Sequence, residues 1–71
     1  MTRMKGTVRI PKQDYKGRLG NAYEAKVEGQ RLFFPYACST VDTTAANVVD
    51  ITCDLWFIKR YDLETVAEWE E

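Results

Sequence analysis

Apolar and polar side chains alternate along most of this chain, and period-two alternation is typical of half-buried β-strands. The pattern predicts a first strand over residues 4–10, which ends where Pro11 removes an amide donor. A second strand is predicted over residues 22–28 and a third over residues 31–38, with a tight hairpin turn around Gly29. The first half of the chain is therefore expected to consist mainly of strands.

The most regular alternation lies in the second half, where every second residue from Val49 to Phe57 is apolar within a strand predicted over residues 48–59. The polar residues 12–21 are expected to form a loop, and residues 39–47 to hold a short helical turn. The tail fits either a strand over residues 65–69 or a helix that begins after Asp62. We expect the strand, because it would complete a barrel.

Five strands, with a hairpin between the second and third and a partly helical connection before the fourth, predict an all-β, five-stranded OB-fold barrel. The whole chain, residues 1–71, is expected to be one domain. A content of 45% hydrophobic residues supplies enough apolar material for one compact core. Barrel closure would also protect strand edges. The alternative fold is an SH3-like barrel with a C-terminal helix.

Several stretches resemble segments of two related families. Residues 4–9, Met-Lys-Gly-Thr-Val-Arg, look like the first strand of cold-shock domains and of bacterial translation initiation factor one. Residues 27–30 and the Phe-Phe-Pro-Tyr run at 33–36 are similar to the cold-shock segment that carries its second RNA-binding motif. Residues 49–55, with 61–65, are similar to the fourth strand and following loop of the initiation factor. The resemblance implies an OB-fold that binds single-stranded RNA or DNA.

Other positions depart from both families. Ile10 stands where cold-shock domains carry an aromatic residue, and Pro35 stands where their second motif has histidine. The first RNA-binding motif is reduced to Lys16-Gly17, and the initiation factor's basic segment is replaced by the neutral-to-acidic residues 39–42. The departures fall on residues that contact nucleic acid, so the resemblance bears on the fold more than on the ligand.

Charge is distributed unevenly along the chain. Residues 1–31 hold eight Lys or Arg against three Asp or Glu, a net charge of +5, and residues 32–71 hold two against eight, a net charge of −6. This asymmetry predicts either a basic surface for phosphates or two halves that neutralise each other across paired strands. Alternation points Phe33 away from the predicted core, where its ring can stack on a base. The residues predicted to bind nucleic acid are Lys5, Arg9, Lys16, Arg18, Lys26, Arg31 and Phe33.

The alternative function is a protein-interaction module or inhibitor, encoded by a phage or mobile element, that acts on a host protein through the acidic C-terminal half. Tryptophan is enriched among binding hot spots, so the predicted protein interface is Trp56 with Ile58 and Asp54. A third interpretation is an oligomer assembled through exposed strand edges. The residues expected to form a negative surface, either interacting or solubilising, are Asp50, Asp54, Glu64, Glu68, Glu70 and Glu71.

Catalytic, metal and membrane functions are not expected. The chain has no histidine, which is the commonest general base and the commonest metal ligand. No apolar run approaches the ~20 residues of a membrane span, and the N-terminus lacks the apolar stretch of a secretory signal. The two cysteines, Cys38 and Cys53, are expected to be reduced thiols rather than a disulfide. We therefore expect a cytoplasmic, non-enzymatic protein without a cofactor.

Overall fold

The computed structural model describes residues 3–70, in which seven strands form two antiparallel sheets, so the mostly-β class is confirmed. The helix α1 spans Leu55–Arg60, and two 3-10 turns occupy Lys12–Asp14 and Tyr36–Cys38. Met1, Thr2 and Glu71 lie outside the described residues, so the N-terminal expectation and the place of Glu71 in the negative surface are not addressed. The strands are β1 Met4–Pro11, β2 Tyr15–Leu19, β3 Ala22–Val27, β4 Gln30–Pro35, β5 Ser39–Asp42, β6 Val48–Asp54 and β7 Ala67–Glu70.

The two sheets differ in how their strands are connected. The three-stranded sheet is a meander in the order β2-β3-β4, and the four-stranded sheet has the order β5-β6-β1-β7. Within the four-stranded sheet β1 is the longest strand and pairs on both sides, with β6 and with β7. Within residues 3–70 the sheets do not close into a barrel, and seven strands replace the five predicted.

Segment 12–21 was predicted as a loop, but it contains β2 at Tyr15–Leu19. This strand lies at the edge of the meander and none of its five residues is fully buried, so it lacks the apolar alternation that marks other strands. Its pairing with β3 is also irregular, because the register shifts between Tyr15 and Gly17. Pairing with a neighbour, rather than burial of its own side chains, makes this segment a strand.

The connection before β6 was also predicted incompletely. The expected helical turn lies earlier than residues 39–47, as a 3-10 turn at Tyr36–Cys38, and β4 ends at Pro35. Residues 39–42 form β5, which pairs with β6 in a hairpin. Only Ser39 in β5 is buried, so its sequence gave no apolar alternation to identify it.

The strand predicted over residues 48–59 ends at Asp54, and residues 55–60 turn into α1. Phe57 and Ile58 are adjacent and both are buried. Adjacent residues of a strand point to opposite faces, whereas a short helix can direct both toward the core. Over only six residues, the same apolar positions are compatible with both the helical and the strand period. The tail forms a strand, as predicted, over Ala67–Glu70.

The core lies between the two sheets, with α1 packed at one end. The rings of Phe34 and Phe57 have centroids 4.8 Å apart, and Phe57 is equally close to Tyr61, so α1 is joined to the meander by aromatic contacts. The hairpin turn expected around Gly29 is present, with positive φ at Glu28 and Gly29. The fully packed core residues include Val8, Ile10, Ala25, Val27, Leu32, Phe34, Val49, Ile51 and Cys53.

Candidate functional site

The residues predicted to bind nucleic acid lie on different sheets. Lys5 and Arg9 are on β1 in the four-stranded sheet, and the remaining five are on the three-stranded sheet. Strand β1 is separated from β2 by the 3-10 turn Lys12–Asp14. The structure therefore does not place all seven residues on one sheet face. The five on the meander are Lys16, Arg18, Lys26, Arg31 and Phe33.

Two basic residues of β1 have carboxylates directly opposite them on β6. The Lys5 ammonium lies 2.8 Å from Asp54 Oδ1, and these residues are register partners. The Arg9 guanidinium donates two hydrogen bonds to the Asp50 carboxylate, at 2.8 and 3.1 Å, again between register partners. The hydrogen bond from Arg9 lowers the pKa of Asp50. These two pairs neutralise charge between the basic and acidic halves of the chain, which is the second of the two interpretations of the charge asymmetry.

Phe33 lies on the outer face of the meander, as the alternation predicts. Leu32 and Phe34 beside it are buried, whereas Phe33 is 43% exposed. The Arg31 guanidinium is centred 5.4 Å from the Phe33 ring centroid and also donates to the Glu24 carboxylate. We call the outward residues around this ring the Phe33 face: Leu19, Ala22, Glu24, Lys26, Arg31, Phe33 and Pro35.

Arg18 belongs to a different part of the meander. Its register partner is Tyr23, whose strand neighbour Ala25 on the same face is buried in the core. The Arg18 guanidinium lies 5.7 Å from the Tyr36 ring centroid, and the Tyr36 and Tyr23 centroids are 4.6 Å apart. Burial raises the pKa of Tyr15, which lies near this group. Arg18 therefore does not extend the Phe33 face.

Large apolar side chains are exposed at one corner of the four-stranded sheet. Trp56, the second residue of α1, is 58% exposed, and its indole N–H donates to Asp54 Oδ2 at 3.3 Å. Trp69 on β7 is 40% exposed and lies opposite Lys5. Asp54, Lys5 and Trp69 thus form one row across three strands. We call this corner, Trp56 and Trp69 around the Lys5–Asp54 ion pair, the tryptophan surface.

The ion pair inside the tryptophan surface is largely shielded from water. Only 8% of Asp54 is exposed, although the residue carries a charge. The hydrogen bond from Lys5 lowers the pKa of Asp54 against the opposing effect of burial. Beside it is an open depression of about 430 Å³, lined by Arg3, Met4, Asp54, Leu55 and Trp56. The corner therefore combines exposed apolar walls with a close and largely shielded charge pair.

The predicted protein interface requires one correction. Trp56 is exposed and contacts Asp54, but Ile58 is only 3% exposed and packs over Gly6 in the core. The two residues share a strand face only if residues 55–59 continue the strand, and the helix separates them. Trp69 was not among the predicted interface residues. Predicting that Trp69 lies opposite Lys5 requires the register between β1 and β7, which no local sequence pattern encodes.

The remaining chemistry of the described residues is limited. Residues 3–70 bring no three His, Cys, Asp or Glu side chains together as a metal site. Cys38 and Cys53 are both free thiols, and burial raises the pKa of Cys53 to about 12. Over the same residues, no helix has the length and apolar character to cross a bilayer.

The chain matches no protein-family model, no curated protein and no solved structure.

Proposed function

We propose that this chain is a non-enzymatic protein-interaction module that binds a partner protein through the tryptophan surface. The observation that carries this proposal is the exposure of two tryptophans, Trp56 and Trp69, on either side of the Lys5–Asp54 ion pair. Tryptophan is enriched in the few residues that supply most binding energy at protein interfaces. In a chain of 71 residues, leaving both tryptophans exposed forfeits apolar burial that so small a core needs.

The ion pair favours docking at this corner. A charged group without a partner is costly to bury under another protein. Lys5 and Asp54 already neutralise each other's charge across 2.8 Å, and the Trp56 indole N–H donates to the second Asp54 oxygen. A partner can therefore cover Trp56 and Trp69 without leaving an isolated charge beneath it.

The test uses two variants that serve as controls for each other. The tagged chain, Trp56→Ala and Phe33→Ala are each incubated with nuclease-treated bacterial lysate, and retained proteins are quantified. Both side chains are exposed, so circular dichroism should show an unchanged fold. We expect one stoichiometric partner on the wild-type chain and on Phe33→Ala, and its loss on Trp56→Ala. Equal retention by all three proteins would contradict the proposal.

A second candidate function is binding of single-stranded RNA or DNA through the Phe33 face. The specific observation in its favour is the outward Phe33 ring with the Arg31 guanidinium beside it and Lys26 opposite Arg31. An exposed ring can stack on a base, and stacking contributes about 1–3 kcal/mol per base. Arg18, Lys5 and Arg9 contribute to this function only through long-range charge, given their positions. Lys16 lies at the register shift in β2 and donates to the Gln13 carbonyl at 3.3 Å.

This candidate is tested with a labelled oligonucleotide in a salt titration. Affinity should fall steeply as salt rises, because phosphate contacts release counterions. Phe33→Ala should weaken binding, whereas Trp56→Ala should leave it unchanged. Absence of binding to any oligonucleotide at low salt would exclude it.

An OB-type fold is proposed together with binding of nucleic acid. We propose that the two sheets are an opened form of that barrel, in which β1 and β2 are halves of one bent strand shared by both sheets. The support is that only the three residues of Lys12–Asp14 separate β1 from β2. A Gly-Ser pair inserted within this turn should lower the free energy of unfolding if β1 and β2 act as one bent strand; unchanged urea unfolding would contradict this proposal. A cytoplasmic location is likewise proposed, on the two free thiols.

A further inference from the structure

We propose that the partner presents an extended segment of alternating basic and apolar residues, which adds to the four-stranded sheet along the open edge of β7. This inference rests on the protein-interaction function proposed above and names the chemistry of the partner. Its starting point is the position of β7, which has β1 as its only strand neighbour among the described residues.

The edge of β7 is accessible. All of its residues, Ala67–Glu70, are exposed, and no strand or helix among residues 3–70 pairs with its outer side. An edge strand presents a row of unpaired N–H and C=O groups, onto which an extended peptide can add by main-chain hydrogen bonds. Binding by strand addition takes its specificity from the side chains that alternate along the edge.

The side chains of β7 present different chemistry on the two faces of the sheet. Trp69 and Ala67 share the face of their register partners, Lys5 and Thr7. Glu68 and Glu70 point to the opposite face. An added strand would place its residues alternately beside Trp69 and beside the two glutamates, so apolar and basic residues in alternation match both faces.

The glutamates select the sign of the partner's charge. Among residues 3–70 neither Glu68 nor Glu70 forms an ion pair, and Glu68 accepts only a hydrogen bond from the Thr65 hydroxyl, at 2.7 Å. A second copy of this chain added through its own β7 would bring glutamates beside glutamates on one face, which destabilises strand pairing. A basic segment instead gains two opposite-charge neighbours. The edge is therefore built for a different molecule and against self-association.

The experiment measures binding of a labelled peptide, acetyl-Lys-Val-Lys-Val-Lys-Val-Lys-amide, by fluorescence anisotropy at low salt. The matched control peptide carries an N-methyl group on every residue, so neither of its edges can donate main-chain hydrogen bonds. Glu70→Lys is compared with Asp14→Lys, which makes the same change in charge on the 3-10 turn between β1 and β2. We expect at least about tenfold weaker binding to Glu70→Lys, since like charges are then juxtaposed. Asp14→Lys should bind as the wild type does.

Hydrogen exchange supplies an independent measurement. Addition of the peptide should slow amide exchange in residues 67–70 and leave the meander unchanged. Three results would each overturn the inference: no binding of the peptide at low salt, equal binding of the N-methylated peptide, or equal weakening by Glu70→Lys and Asp14→Lys. If the peptide fails while Trp56→Ala still abolishes capture of the partner, only this inference is lost. If Trp56→Ala leaves capture unchanged, the proposed function itself fails.

Discussion

Ile58 lies so close to Gly6 that a methyl group added at Gly6 would come within 2.5 Å of the Ile58 Cδ1 atom. This close approach brings α1 down onto β1 and determines where Trp56 is presented. The glycine is needed for space here rather than for an unusual backbone conformation.

We expect Gly6→Ala to lower the free energy of unfolding by about 1–3 kcal/mol, the usual cost of overpacking a core. Ile58→Val removes the atom that would clash, and by itself should cost about 0.5–1.5 kcal/mol. The double variant should be more stable than the sum of the two single effects predicts. Urea unfolding of the four proteins measures this coupling, and strict additivity would show that the clash is relieved elsewhere.

The Lys5–Asp54 ion pair should make stability depend on acid pH. Because the Lys5 hydrogen bond lowers the pKa of Asp54, the carboxylate stabilises the folded state fully above its unfolded pKa of about 3.9. That contribution is lost as pH falls through the lower folded-state pKa. Asp54→Asn should therefore cost about 1 kcal/mol or more at pH 7, since a charged hydrogen bond becomes a neutral one.

Urea unfolding of the wild type and Asp54→Asn at several pH values between 7 and 2.5 tests this expectation. The stability difference should shrink as the wild-type carboxylate becomes protonated. Asp14→Asn is the control, because Asp14 has no ion pair among the described residues. A difference between the wild type and Asp54→Asn that stays constant down to pH 2.5 would contradict the assignment.

The two thiols should react at very different rates. Burial raises the pKa of Cys53 to about 12, so at pH 8 only about one molecule in ten thousand carries its reactive thiolate. Cys38 is partly exposed. A colorimetric thiol reagent should therefore modify one thiol in the native protein and two in denaturant. Cys38→Ser should abolish the native reaction, and a rapid reaction that persists in this variant would place Cys53 within reach of solvent.

The Glu28 side chain joins the β3–β4 hairpin to the loop after α1. Its Oε2 accepts a hydrogen bond from the Glu64 amide at 2.8 Å, while its own backbone has a φ of 52°. Glu28→Ala loses the bond and keeps the unfavourable conformation. Glu28→Asn also loses the bond but tolerates positive φ better. We expect Glu28→Asn to unfold at a higher urea concentration than Glu28→Ala, because its free energy of unfolding should be larger by about 0.5–1 kcal/mol. The reverse order would contradict this account.

The sequence pattern was most informative where a strand has one buried and one exposed face. Strands β1, β3 and β6 begin where alternation predicts, and Phe33 points outward as expected. Alternation carries no information for β2, because its residues are not buried. It is ambiguous at Leu55–Arg60, because six residues fit both the helical and the strand period.

The candidate site was predictable only in part, because cross-strand register cannot be derived from local patterns. Arg9 and Asp50 are 41 positions apart, so their ion pair is invisible until β1 and β6 are aligned. The same is true of Trp69 and Lys5. Lys5 and Arg9, two of the basic residues that suggested a phosphate-binding track, are neutralised by acids from the other half of the chain. The exposed tryptophans gather only after β7 has docked.

The position of β1 between β6 and β7 has a consequence for synthesis on the ribosome. Strand β1 emerges first, yet its neighbours are made from residues 48–54 and 67–70. The meander β2-β3-β4 is local in sequence and can form early, because short loops close at little entropic cost. The four-stranded sheet is complete only with β7, so the nascent chain carries a β1 with one open edge until residue 70 is free to fold. Emergence of β7 from the ribosome, rather than collapse of the core, should limit when this protein acquires its tryptophan surface.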